Sequence, residues 1–399
     1  MEETSRSPKT WFRVFQTYEE VLRRDPTRRQ TRRRAVDVAL ALRRYSDALE
    51  HLRVLRENEP DDGELLALEA RCHEALGRAH EAARLYLRAV EADPPTIQHY
   101  QRLASLVRRR PQEMLRAEDV EESGLSADLA NLFPPREAAF DADQVADRVL
   151  ELMVARGRPA YRARLVRAAD RMRRRLYTEA AEDIAQALDE AGHETEVLLA
   201  AAELALARAA EARLEGDHEA ADRFLDEVRK YARAGLDADP PDLHFYLTLS
   251  RVAILEDKLD EAEAVLRQGL RVLPQARSRE EPSETEVADR FGALENQLRW
   301  SLADVLLTDP VSHEDRQKRI EEARGLISQL RAQAVYPPLL EFLEARILLN
   351  ENQWHRAGLL LEKSRPYLRF VPTLWKRIDL YLGQCYGQLA NPDAKLDVF

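Results

Sequence analysis

Cysteine is nearly absent. Cys72 and Cys385 are the two in 399 residues, and they lie too far apart to form a CxxC site or a disulfide framework. A reducing compartment is the simpler expectation. Glycine is scarce as well, at 13 residues, well below the ordinary ~7%. No GxGxxG or GxxxxGK[ST] occurs, so a phosphate-cradling loop has nothing to be built from. Long apolar runs are missing: no stretch of 18 apolar residues could span a membrane. The opening MEETSRSPKT carries no apolar h-region, so no signal peptide is visible and a cytoplasmic location is expected. Lysine supplies 7 of the 61 basic residues, and the dominance of Arg and Ala resembles the codon bias of a GC-rich genome.

Catalytic constellations are missing too. His-Glu pairs stand at His73, His80, His193, His218 and His313, and none extends to HExxH. Acidic pairs such as Glu121–Glu122 read as solvated helix faces, and no spacing nominates two carboxylates for acid–base work. The expectation is a protein that is not an enzyme and takes no metal and no cofactor.

What the chain does have is folding capacity. Hydrophobic residues make up 45% and charged residues 33%, which excludes a disordered tail. The net charge is −11, from 61 basic and 72 acidic residues. That balance argues against a general polyanion binder.

It also has a period. Pro26, Pro60 and Pro94 are each 34 residues apart, and so are Pro240 and Pro274. Each closes a similar phrase: VLRRDP, LRENEP, VEADP, GLDADP, GLRVLP. Proline lacks the N–H and clashes with the preceding turn, so a proline at fixed period predicts helix ends at fixed period. Ahead of Pro60 stand Ala48, Leu52 and Leu55; ahead of Pro94, Ala82, Tyr86 and Ala89; ahead of Pro274, Ala262, Leu266 and Gly269. This spacing puts three small or apolar side chains on one helix face. A second helical stretch precedes each, as in LHFYLTLSRVAIL with Tyr246, Leu249, Ser250 and Ala253 on one face. Each unit is therefore two antiparallel helices and a short turn.

This pattern resembles the tetratricopeptide repeat, in the manner of bacterial multi-repeat proteins. Gly63 to Pro94 matches through Leu66, Ala70, Gly77, Ala82, Tyr86, Ala89 and Pro94, and the last unit through Leu382, Gly383 and Tyr386. The resemblance implies an all-α fold, a right-handed α-solenoid of antiparallel helix pairs forming a superhelix.

The domain reading follows the repeats. Residues 1–110 hold N-terminal repeats: a half repeat at 11–26, full repeats at 29–60 and 63–94, and the start of a third. Residues 111–141 interrupt the third as an insertion, read as a surface excursion with a short helix around Ala127 to Leu132, in preference to a binding loop. Residues 142–274 form central repeats, with one elongated unit at 194–240. Residues 275–286 read as a linker, with Ser283 and Glu286 as a capping box. Residues 287–399 are C-terminal repeats, the last truncated at Phe399. Neither end carries a polar cap, which suggests a segment of a longer protein or self-association through uncapped ends.

In the family resembled, the groove lined by the first helix of each pair holds a peptide or partner helix. The resemblance implies groove residues Arg33, Asp37, Ala67, Arg71, Glu74, Gln101, Ser105 and Arg108 in the N-terminal half. In the C-terminal half it implies His244, Leu247, Arg251, Phe342 and Arg346. One subclass of the family clamps a chaperone's C-terminal carboxylate with Lys and Asn; here those places carry Asp37, Arg71 and Ser105, with no Asn, which argues against that use. The expected function is a non-enzymatic scaffold that binds a protein or peptide partner, without membrane insertion. One alternative is the recruiting or regulatory arm of a larger protein, enzymatic or membrane-anchored. A second is nucleic-acid binding through the Arg runs at 23–34, 108–110 and 173–175. No aromatics interleave those runs, as single-strand stacking requires, so a salt-bridged surface is the preferred reading.

Overall fold

The computed structural model describes residues 8–238, 241–279, 286–308, 313–369 and 371–389. Twenty α-helices, one 3-10 turn and no strand occur among them. The chain divides after Ala191 into two compact units.

The first unit holds α1 (Pro8–Arg24), α2 (Arg29–Ala41), α3 (Tyr45–Arg56), α4 (Gly63–Ala75), α5 (Ala79–Ala92) and α6 (Ile97–Arg109). After the turn Pro111–Glu113 come α7 (Ala117–Glu122), α8 (Ala127–Ala130), α9 (Ala142–Arg156), α10 (Ala160–Arg173) and α11 (Tyr177–Ala191). The second unit holds α12 (Thr195–Glu215), α13 (His218–Leu236), α14 (His244–Leu255), α15 (Leu259–Arg279), α16 (Glu286–Leu306), α17 (His313–Ala332), α18 (Pro337–Asn350), α19 (Trp354–Leu368) and α20 (Pro372–Gln388). Within α1–α6, α9–α11 and α12–α20 each helix packs on its chain neighbour, and α6 pairs with α9 across the insertion. Both units are thus all-α solenoids of helix pairs.

The helices end where the prolines predict in the first unit: α1, α3 and α5 stop before Pro26, Pro60 and Pro94. The seam residues Ala48, Leu52, Leu55, Ala82, Tyr86 and Ala89 are fully buried. Carboxylates cap several starts. Asp62 accepts the Leu65 N–H at 3.0 Å, and Asp217 accepts that of Ala220 at 2.9 Å, meeting donors that a helix leaves orphaned.

One turn recurs within six pairs. A left-handed residue follows the first helix: Arg43, Gly77, Arg175, Gly216, Asp257 or Asn352. The next N–H then donates to the carbonyl five residues back, from Arg44 to Ala39, Arg78 to His73, Leu176 to Arg171, Asp217 to Ala212, Lys258 to Ala253 and Gln353 to Leu348, at 2.8–2.9 Å. This back-bond closes a helix C-terminus and reverses the chain.

Two expectations are corrected. Pro274 does not end its helix: α15 continues to Arg279, with the Ser278 hydroxyl donating to the Pro274 carbonyl. Residues 275–279 are therefore helical, and 280–285, which include Ser283, lie outside the described residues, as do Pro240 and 390–399. The insertion is not a surface excursion. Met114, Leu115, Val120, Leu129, Ala130, Leu132 and Phe133 are buried in one core with α4, α5, α6 and α9. The Arg116 N–H donates to Asp119 at 2.8 Å, and Ser126 N–H to Glu91 at 2.8 Å, tying the segment down. Its short helix is α8, at Ala127–Ala130.

Candidate functional site

The C-terminal ends of α2, α4 and α6 come together in the first unit around a cleft of about 300 Å³. Leu40 and Tyr45 form one side. Arg71, Glu74, Ala75, Gly77 and Ala79 form the middle, and Arg102, Leu106, Arg109 and Arg110 the other side. Four guanidiniums thus face one carboxylate.

The floor is rigid. Tyr86 is fully buried, and its hydroxyl donates to Glu74 Oε2 at 3.0 Å. Arg109 donates to the other oxygen, Oε1. Burial first, and then the Glu74 carboxylate, push the Tyr86 hydroxyl far above its ordinary pKa, while Arg102 and Arg71 pull it the other way. Both guanidiniums therefore lie within electrostatic reach of one phenol.

The expected groove residues scatter. Arg71 and Glu74 line the cleft. Gln101 and Ser105 are exposed on α6, but the cleft takes the neighbouring face, Arg102, Leu106 and Arg109. Ala67 is half-buried and Asp37 exposed, with Arg33 and Arg71 near enough to favour its charged form. Arg33 is engaged by Asp62 at 2.9 Å and Glu59 at 3.3 Å. Arg108 points away from the cleft, to Asp170 at 2.5 Å, Asp147 at 2.8 Å and Asp143 at 3.0 Å.

In the second unit, His244 Nδ1 lies 2.7 Å from Asp242, Leu247 packs half-buried against the core, and Arg251 is exposed. Phe342 and Arg346 are corrected: they belong to the interior. Phe342 is fully buried between Trp300 and Tyr381. Arg346 is 3% exposed and spends its donors on Asp304, the Leu307 carbonyl and Thr308. A guanidinium so satisfied presents nothing to a partner.

The arginine runs are largely ion-paired. Arg24 meets Glu20 at 2.5 Å, Arg28 meets Asp25 at 3.0 Å, Arg173 meets Asp170 at 2.9 Å, and Arg174 meets Asp147 at 2.6 Å. Among the described residues there is no cluster of three His, Cys, Asp or Glu that could hold a metal, and no helix long and apolar enough to cross a membrane. Arg102 escaped the sequence reading, and Arg109 entered it within the basic run 108–110, not as a groove residue.

The fold is that of a helical-repeat protein. Residues 39–107, which span α2 to α6 and most of the cleft, match the family model described as tetratricopeptide repeat. Over those residues the chain matches the tetratricopeptide repeat, a fold that generally mediates protein interactions. No curated protein matches it in sequence. Among solved structures it is similar to a human IFIT1 dimer with PPP-AAAA, at 13% identity and a TM-score of 0.44, covering 96% of this chain and 76% of that one. It is similar also to a tetratricopeptide repeat protein from Parabacteroides merdae, at 14% identity and a TM-score of 0.39, covering 93% and 99%. A third is the APC/C hetero-tetramer Cut9-Hcn1, at 13% identity and 0.34, covering 99% and 80%.

Proposed function

We propose that the chain is a non-enzymatic scaffold that holds a segment of a partner protein against the first helices of its pairs. The cleft at the ends of α2, α4 and α6 carries this reading. It is an open concavity walled by three successive helix pairs, and Arg71 and Glu74 from the expected groove stand in it. Gln101 and Ser105, exposed beside it, extend the same surface. Helix pairs that touch only their neighbours leave such a surface free along the stack.

Site-specific photo-crosslinking tests it. A photoreactive residue at Gln101 or Ser105 should capture a discrete protein in native lysate. The same residue at Arg84, exposed on α5, should not. Equal capture from all three positions, or none from Gln101 and Ser105, would defeat the groove reading.

A further inference from the structure

Among the described residues, the cleft holds two guanidiniums that make no hydrogen bond or ion pair with an acid. Arg71 on α4 and Arg102 on α6 are both exposed, and neither has a hydrogen bond or ion pair among the described residues. Other exposed arginines, such as Arg23, Arg53 and Arg84, also lack a hydrogen bond or ion pair among these residues, while many more are engaged. Arg33, Arg108, Arg174, Arg229 and Arg267 each meet carboxylates from another helix. The cleft's other two arginines are engaged as well, Arg109 on Glu74 and Arg110 on Glu113 at 3.4 Å. A chain of net charge −11 places one carboxylate in this cleft, that of Glu74.

The cleft's own carboxylate is already engaged. Both oxygens of Glu74 are occupied, one by Tyr86 and one by Arg109. Turning the carboxylate toward Arg71 or Arg102 would strand the buried Tyr86 hydroxyl. A volume near 300 Å³ is at the small end of ligand pockets, roughly 300–1,000 Å³. It admits one or two side chains of an extended segment.

We propose that Arg71 and Arg102 anchor an acidic peptide segment of the partner, each guanidinium taking one of its carboxylates. This rests on the scaffold reading and supplies the chemistry of what the scaffold holds. The planar guanidinium fork matches an oxyanion with two parallel N–H···O bonds. A phosphorylated side chain offers the same oxyanion chemistry on the same peptide. A nucleic-acid strand fits worse: it needs a track of cations with aromatic platforms, and Tyr45 is the one aromatic lining the cleft.

The test uses the full chain and fluorescein-labelled peptides of eight glutamates, of eight serines, and of eight serines with two phosphorylated. A labelled oligouridine of eight nucleotides is the fourth probe. Anisotropy should show binding of the glutamate peptide and none of the plain serine peptide. R71Q and R102Q should each weaken glutamate binding about tenfold or more. R71K/R102K should recover part of that, and R33Q, whose arginine already has acid partners, should leave it unchanged. Phosphoserine binding with the same sensitivity also supports the anchor, and its strength relative to glutamate identifies the oxyanion source. No glutamate binding, or binding indifferent to both arginines, overturns the proposal, as does tighter binding of oligouridine. Should crosslinks from Gln101 and Ser105 persist unchanged in R71Q/R102Q, the scaffold reading stands and the acidic anchor falls.

Discussion

Arg377 reaches Asp304 with two hydrogen bonds, at 2.7 and 2.8 Å, from a helix 73 residues further along the chain. Arg346 approaches the same carboxylate from the other side. One largely enclosed acid, 14% exposed, thus fastens α16, α18 and α20 together.

Asp304→Asn should therefore be severe. It strands Arg346, which is 3% exposed, and breaking a buried pair by removing one partner costs about 3–5 kcal/mol. Urea unfolding should show that loss. A loss below about 1 kcal/mol would mean that the arginines re-solvate freely.

The same group sets an acid limit. Burial alone would raise the Asp304 carboxyl, but Arg346 and Arg377 outweigh it and hold it below its ordinary 3.8. A depressed carboxyl adds stability that is fully present above about pH 4 and lost as pH falls through its folded value. Stability measured from pH 6 to 2 should drop through that window, and D304N should flatten the drop.

Two glycines should fail for different reasons. At Gly216, with φ +82°, an added methyl meets nothing within 4 Å, so Gly216→Ala costs only backbone strain, about 1–2 kcal/mol. At Gly235 the methyl would sit 1.8 Å from the Phe245 ring. Gly235→Ala must push apart α13 and α14 and should cost more. Phe245→Leu should restore part of the loss in the double mutant, a non-additivity that distinguishes collision from strain. Additive effects would contradict the contact.

The insertion should behave as core. Leu115→Ala should cost about 2–5 kcal/mol and Phe133→Ala about 3–5 kcal/mol, since both are at most 2% exposed. A surface excursion would tolerate either within about 0.5 kcal/mol.

Both thiols should be inert. Burial pushes Cys72 and Cys385 up to about 11, so each is a thiol at pH 8 and only the thiolate reacts. Labelling with a disulfide reagent should be slow in buffer and fast in denaturant. Rapid native labelling of either would show that its helix opens.

The period was legible because it is written locally. Ala82, Tyr86 and Ala89 sit on one face by spacing alone, and that face is the buried one. The recurring turn was partly legible: Asp257 and Asn352 favour the left-handed conformation, whereas Arg43 and Arg175 adopt it with nothing in their side chains to announce it. The cleft was half legible. Successive helix residues stand about 100° apart, so a one-residue error moves Gln101, Ser105 and Arg108 off the face that Arg102, Leu106 and Arg109 occupy. Arg346 misled because Asp304 lies 42 positions away, and no local pattern reveals so distant a counter-charge. The insertion's apolar residues, Leu115, Leu129 and Phe133, follow no helical period, so they read as a loop although they fill a core.

A stack whose members touch only their neighbours can gain or lose a whole repeat by duplication or deletion, since the flanking surfaces remain alike. The pair α6 and α9 forfeits that freedom. Its interior is completed by thirty-odd residues found in no other pair, and they lean on α4 and α5 as well. Copying or excising this stretch would leave neighbours with surfaces that match nothing. The first unit should therefore vary in length on either side of the insertion among descendants of this chain, and hold fixed across it.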